Sequence, residues 1–475
     1  MSDPAEKPRH PKGLYVLFFT EMWERFGFYT MLFIFTLYLD DYFHFRHPGT
    51  IYGAYLALVY FTPIAGGWIA DRVLGFRRTI VLGAILLAAG YAIMAVKVND
   101  KPSVQQQVVA AEQAYAQAFS QWQQRGEAAK AAGQPFDEPQ PRYGGPQRTA
   151  GRPLLFLALL VLVAGNGLFK PNISVMVGNL YEEGNPLKDS AFNIFYMGIN
   201  IGAFFAPLAA AALRNTLGWW WAFGAAAAGM LVGLAIFTIF QKHIAHAEIA
   251  HSADSLVKGP DLTKEQERNR IVALLAIYAI VVLFWMAFHQ NGFTMTLWAR
   301  DSTGPLFGFQ IPPETFGAAN AFFVVTLTPL VVWFWGRLRR RQRELSTPAK
   351  MGVGMLLTGT AFAIMGFAGR IGGDAGRVSP LWLIAAYGVV TLGELNLSPM
   401  GLAFCSKVAP PRFRGLMMGL WFGATACGNY LAGGIEFLWD RWPHSTFFFF
   451  LTATSLFAAL LLRLVLRKVN AAVAS

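Results

Sequence analysis

Twelve apolar stretches, most of them twenty residues or longer, run almost end to end through this chain. They fall at 14–39, 50–70, 78–96, 153–180, 190–213, 217–240, 271–299, 315–336, 351–369, 379–405, 414–439 and 445–466. An α-helix rises 1.5 Å per residue, so about 20 residues cross the ~30 Å hydrocarbon core of a bilayer. Backbone amides find no water at that depth, and a helix satisfies its own hydrogen bonds. Composition agrees with lipid as the solvent. Of 475 residues, 55% are apolar and 14% are charged, against about 25% charged in ordinary soluble domains. The expected fold class is an all-α integral membrane protein of two six-helix bundles.

The net charge of +12 is explained by topology rather than by a nucleic-acid partner. Of the 39 Lys and Arg, 24 fall in tails and loops on one side of the membrane and 13 on the other. Seven of those 13 lie in or beside one long loop, and long loops count little toward orientation. Both termini are therefore predicted to be cytoplasmic, in a multi-pass protein of the inner (plasma) membrane. No basic run is interleaved with aromatics in a polar segment, so nucleic acid is not an expected partner. Cys405 and Cys427 sit in apolar stretches and form no disulfide framework. The first apolar segment carries Glu21, Glu24 and Arg25, unlike the uncharged core of a cleaved signal peptide.

The long loop, 97–151, is predicted to face the periplasm or exterior. Ser103 and Gln106 have capping-box spacing there, and Val104, Val108, Ala111, Tyr115, Phe119 and Trp122 follow at three- and four-residue steps. That is one apolar stripe on a helix over 101–133, lying on the bilayer surface or against the protein. The Pro-, Gln- and Gly-rich stretch 133–152 reads as a flexible return chain.

A repeat divides the chain. Thr62-Pro63 is followed eight and fourteen residues after the proline by Asp71 and Arg77, and Thr328-Pro329 at the same spacings by Arg337 and Arg343. Gly165-x5-Pro171 is mirrored by Gly393-x5-Pro399. The expected organisation is an N-terminal bundle at 1–240 that includes the 97–151 segment, a cytoplasmic linker at 241–270 and a C-terminal bundle at 271–475. In such architectures sites lie between the repeats near the midplane.

The informative residues are ionisable groups at membrane depth, where a charge costs about 2.5–3.5 kcal/mol on insertion scales. They are Glu21, Glu24 and Arg25 in the first segment, Lys170 in the fourth, His289 in the seventh and Glu394 in the tenth. Lys97, Glu436 and Asp440, near segment ends, read as snorkelling groups. Glu21, Glu24 and Arg25 share one helical face, with Tyr29 further along it. Adjacent carboxylates repel, which suits the pair to taking up a proton; an internal salt bridge pinning the helix is the plainer alternative. Lys170 and Glu394, on equivalent helices, would put opposite charges on two walls of a cavity and fit a zwitterion. A direct Lys170–Glu394 or Lys170–Glu21 bridge is again the plainer alternative. Tyr29, Tyr60, Trp285 and Trp421 suit the lining of apolar pockets. No His or Cys spacing suits a metal or haem, and no cofactor or catalytic constellation is expected.

The stretch Glu21-Met-Trp-Glu24-Arg25-Phe26-Gly-Phe28-Tyr29 resembles the ExxERFxYY signature of the proton-coupled oligopeptide transporter family, a branch of the major facilitator superfamily. GGWIADRVLGFRR (66–78), GNGLFKPNIS (165–174), FYMGINIGAFFAP (195–207) and GELNLSPMGLAFCSKVAP (393–410) resemble further motifs of it. The resemblance covers essentially the whole chain. It implies uptake of di- and tripeptides driven by protons through alternating access, by a protein that is not an enzyme and is expected to be a monomer. It implies that Arg25 and Lys170 receive the peptide carboxylate and that Glu394 holds the amino terminus, helped by Asn200 and Asn320. Tyr29, Tyr60 and Trp421 would border the side-chain pockets. Glu21 and Glu24 would join the proton coupling, with Arg25, Lys170 and His289 as partners. A transporter of another solute, such as nitrate, an amino acid or a drug, is the alternative reading.

Three departures stand out. Phe28 replaces the first tyrosine of the signature. His289 and Leu32 replace both ends of the ion pair with which many bacterial members close the extracellular gate, so the gate is expected to use another contact. The polar stretch 241–270 leaves no room for the two extra helices that many bacterial relatives carry between the halves.

Overall fold

The computed structural model describes residues 10–474 except 137, 183–184, 186 and 249–261. Residues 249–261 of the expected 241–270 linker thus lie outside the described residues. In the first half of the chain the helices are α1 Lys12–Leu37, α2 Pro48–Phe61, α3 Pro63–Ile69, α4 Phe76–Met94, α5 Pro102–Ala131, α6 Arg152–Asn179, α7 Lys188–Leu217 and α8 Trp219–Ile239. In the second they are α9 Lys264–Phe288, α10 Thr294–Ser302, α11 Gly317–Arg340, α12 Thr347–Gly372, α13 Leu381–Val408, α14 Arg414–Gly434, α15 Glu436–Trp439 and α16 His444–Ala474.

Ten runs among the described residues are long and apolar enough to cross a membrane, counting α2–α3 and α9–α10 as one run each. The other two expected segments are helical over 26 and 21 residues, as α1 and α14. They are less apolar, α1 because of Lys12, Glu21, Glu24 and Arg25 and α14 because glycines and Asn429 interrupt it. The chain is an all-α, multi-pass membrane protein. Two breaks matter: Pro63 interrupts the second span, and a 3-10 turn at His289–Gly292 interrupts the seventh.

The helices gather into two compact units. Among the described residues the first comprises 10–31, 61–96 and 154–248, and the second 32–60, 97–153 and 262–474. In the first unit α8 packs on α4 and α7. Lipid gives helices no hydrophobic reason to associate, so close contact depends on small residues. Gly83 and Gly165 face each other so closely that a methyl on either would stand 2.8–2.9 Å from the other's carbonyl oxygen. In the second unit Gly354 and Gly393 repeat that contact between α12 and α13, at 2.6–2.8 Å. The Gly165 and Gly393 motifs therefore do the same local packing twice.

Gly66, on α3, is tighter still: a Cβ there would lie 1.9 Å from the Gly167 carbonyl of α6. Gly66→Ala must push α3 off α6, and overpacking of this kind costs about 1–3 kcal/mol. The unfolding midpoint in detergent is expected to fall for Gly66→Ala and to hold for Gly67→Ala, whose methyl would meet nothing within 4 Å.

The 97–151 segment departs in detail from its sequence reading. Helix α5 begins at Pro102 with Lys101 as N-cap, and no side chain caps it. The expected Ser103–Gln106 box does not form, because Pro102 presets the first helical residue and starts the helix two positions early. The apolar stripe faces protein: Val108 and Trp122 are fully buried. The return chain is irregular but pinned. Glu138 accepts from the Trp122 indole at 2.9 Å through its carbonyl, and Asp100 accepts from the backbone of Thr149 and Ala150 at 3.1 and 2.9 Å.

Candidate functional site

In the first unit the helical spacing of α1 does what the sequence suggests. Arg25 Nε donates to the adjacent Glu24 carboxylate and forms an ion pair with Glu21 Oε1 at 3.1 Å. All three side chains are almost completely buried. One guanidinium between two carboxylates leaves a net negative charge, and among the described residues Glu21 Oε2, Glu24 Oε1 and Arg25 Nη2 find no hydrogen-bond partner. Lys170, half-buried on α6, lies close enough for the charges of Arg25, Glu24 and Glu21 to act on it. Two cations and two carboxylates make the set neutral overall.

The substitution at position 28 has a visible consequence. The Arg25 guanidinium lies 5.0 Å from the centre of the Phe28 ring, a cation–π contact in place of a hydroxyl. Tyr29, half-buried, packs edge-on to Phe28 at 5.2 Å. Helix α7 approaches because Gly202 lacks a side chain: a Cβ there would stand 2.3 Å from the Met22 carbonyl and 3.1 Å from Arg25 Cβ. Asn200, two residues earlier, is buried and donates to the Tyr196 carbonyl at 2.9 Å.

In the second unit Glu394 is half-buried on α13. Asn320 of α11 donates to its Oε2 at 3.0 Å and to Thr391 Oγ1 at 2.9 Å. His289, at the turn that breaks the seventh span, stacks on Trp285 at 5.4 Å and meets Tyr60 edge-on at 5.9 Å. Trp421 stands in the packed core of this unit, edge-on to Tyr278 at 5.9 Å and against Gly401, where a Cβ would lie 2.0 Å from its ring. The structure thus groups Glu21, Glu24, Arg25 and Lys170 in one cluster, Glu394 with Asn320 in a second, and His289 with Trp285 and Tyr60 in a third.

Two groups escaped the sequence reading. Glu436, taken as a snorkelling end residue, is 5% exposed. It packs against the start of α2, where a Cβ on Gly49 would stand 3.1 Å from Glu436 Cβ. Arg300, at the end of α10, donates to Asp40 Oδ2 at 2.7 Å, to Asp41 and to Asp301 Oδ1 at 2.8 Å. The signal for it was a pair of acids just after the first segment and a basic residue just after the seventh, on the same side by the charge count.

The sequence profile of the POT family matches residues 77–258 and 249–445 of the chain. The peptide transporter YePEPT of Yersinia enterocolitica is 30% identical over 495 aligned residues, covering 89% of this chain and 87% of that protein. The dipeptide and tripeptide permease A of Escherichia coli is 27% identical, covering 90% of this chain and 84% of the permease. A crystal structure of peptide transporter POT in complex with alafosfalin matches with a TM-score of 0.80 at 27% identity, over 98% of this chain and 96% of that one.

Proposed function

We propose that this chain, which belongs to the POT family, takes up di- and tripeptides together with protons by alternating access. Its fold is the major facilitator fold of the POT peptide transporters, and it is a transporter rather than an enzyme. The observation that carries the coupled reading is the buried Glu21–Arg25–Glu24 triplet beside Lys170. Both carboxylates crowd the one Arg25 guanidinium, and each keeps a buried oxygen without a hydrogen-bond partner among the described residues, which is where a proton can be taken up.

In this reading a proton from outside neutralises the glutamate pair and loosens its hold on Arg25 or Lys170. The released cation binds the peptide carboxylate, with Asn200 beside it on α7. Glu394, oriented by Asn320, binds the ammonium group. Tyr29, Tyr60 and Trp421 shape the side-chain pockets, and His289 takes part in proton handling. Closing the carrier over a bound zwitterion then buries no unpaired ion, a state that costs several kcal/mol. Peptide and proton leave inward and the internal ion pairs re-form.

The assignment carries an organisation with it: six-helix halves at 1–240 and 271–475, a cytoplasmic linker at 241–270, both termini in the cytoplasm and a single chain as the working unit. The excess of Lys and Arg on one side supports the orientation. The experiment is uptake of labelled dialanine into proteoliposomes with and without an inwardly directed proton gradient. The gradient is expected to raise the internal concentration above the external one. Competition by nitrate or free amino acids but not by unlabelled dialanine overturns the peptide assignment.

A further inference from the structure

Peptide transport by itself assigns nothing to α5 and its return chain, yet the second unit ties them to several neighbours. Gln123 Nε2 donates to the Asp301 carbonyl at 2.9 Å, and Gln123 Oε1 accepts from Arg377 at 3.2 Å. Gly126 rests on Ala375 with no room for a Cβ, and Arg142 donates to the Asp440 carbonyl at 2.5 Å. On the other flank Glu112 pairs with His44, just past α1, at 3.0 Å, and Tyr143 stacks on the His44 ring at 3.8 Å. The segment therefore bridges the chain just past α1, the last turn of α10 and the residues that follow α12 and α15. Tyr115 of α5 lies within electrostatic reach of Arg300, Asp301, Asp40 and Asp41.

At the same end the first two spans are closed onto the second half of the chain. Thr36 of α1 donates to the Gly292 carbonyl at 2.8 Å, Tyr52 of α2 stacks on Phe293 at 5.7 Å, and Gly433 of α14 meets the Gly49 backbone. The ring and glycine packing is non-directional, and the Thr36 hydrogen bond joins two neutral groups. Arg300 adds a charged, directional contact that joins Asp40 and Asp41, just past α1, to its own neighbour Asp301.

We propose that Arg300 is the lock of the outer gate, pinning the end of α1 to α10, and that α5 is a brace clamped beside it. The proposal rests on the alternating-access reading and on the orientation that puts this end outside. It supplies the contact that Leu32 and His289 leave missing, with the charges exchanged between the two spans. The lock is asymmetric. Without Arg300 three carboxylates crowd one another, and like charges at this range repel. Removing the arginine therefore not only releases the gate but drives it apart. The brace leaves α4 and returns into α6, so it travels with the first half. Its contacts through Gln123 and Arg142 are the ones that break when the gate opens.

The test is a distance, read by pulsed electron resonance between nitroxides at Arg46→Cys and Phe307→Cys, both exposed, in a Cys405→Ala/Cys427→Ala background without substrate. The parent is expected to show a dominant short distance. Arg300→Ala should make longer distances the majority, and Arg300→Lys should keep most of the short one. Asp40→Asn/Asp41→Asn/Arg300→Ala, which removes the repulsion together with the lock, should recover more of the short distance than Arg300→Ala alone. An unchanged distribution in Arg300→Ala, or a triple variant no more closed than the single one, overturns the proposal. Failure of the peptide assignment shows separately, as a parent protein that ignores dialanine while the distances still respond.

Discussion

Glu24→Gln is expected to abolish proton-driven accumulation of dialanine while exchange of dialanine across a membrane at equal pH continues. The amide keeps the size of the carboxyl group and one acceptor oxygen for Arg25, and Glu21 still neutralises the guanidinium at 3.1 Å. What is lost is the group that cycles between charged and neutral. Each pH unit across the membrane supplies about 1.4 kcal/mol per proton, a tenfold concentration ratio at most for one coupled proton. The variant's steady-state ratio should therefore fall to about one, whatever the gradient. Exchange needs no net proton movement and should stay within roughly threefold of the parent, a difference under 1 kcal/mol. Glu21→Gln should behave alike but less severely, because Glu24 sits closer to the guanidinium. Equal loss of accumulation and exchange would make the triplet a structural pin. Accumulation that survives in both variants would move the coupling elsewhere, with His289 the next residue to test.

The triplet was legible because helical geometry is local. Residues at i, i+3 and i+4 share a face in any helix, so the sequence alone joined Glu21, Glu24 and Arg25. The spans were legible for a similar reason, since length and apolarity are properties of a segment and not of its neighbours. Long-range contacts were not. Glu436 reads as a helix-end acid able to reach water, and only the close approach of α2, permitted by Gly49 and Gly53 against α14 and α15, closes that route. Arg300 and Asp40 are 260 positions apart, and nothing local says that one partner is the other's. The stripe on α5 has the same period whether it faces lipid headgroups or protein. Its burial against the 136–143 chain and the residues after α12 decides the matter.

Replacement of the single carboxylate on α13 should expose the other half of substrate recognition. Glu394 accepts from one amide donor, Asn320 Nδ2 at 3.0 Å, a neutral group that does not compensate its charge, as a ligand ammonium would. A hydrogen bond to a charged partner contributes about 1.5–3 kcal/mol, which converts to roughly a 10- to 150-fold change in affinity. Glu394→Gln is therefore expected to raise the KM for dialanine by about that factor. Asn320→Ala, which removes only the neutral donor that orients the carboxylate, should raise it by a few-fold. The decisive comparison is with N-acetyl-dialanine, which has the same backbone and carboxylate but no ammonium. The parent should bind it far more weakly than dialanine, and Glu394→Gln should bind the two almost equally, because the group that told them apart has gone. A Glu394→Gln variant that weakens both peptides by the same factor would show that the carboxylate shapes the protein instead of meeting the amine. Arg25→Lys, tested against dialanine and its C-terminal amide, applies the same logic to the opposite charge and should leave the N-acetyl discrimination intact.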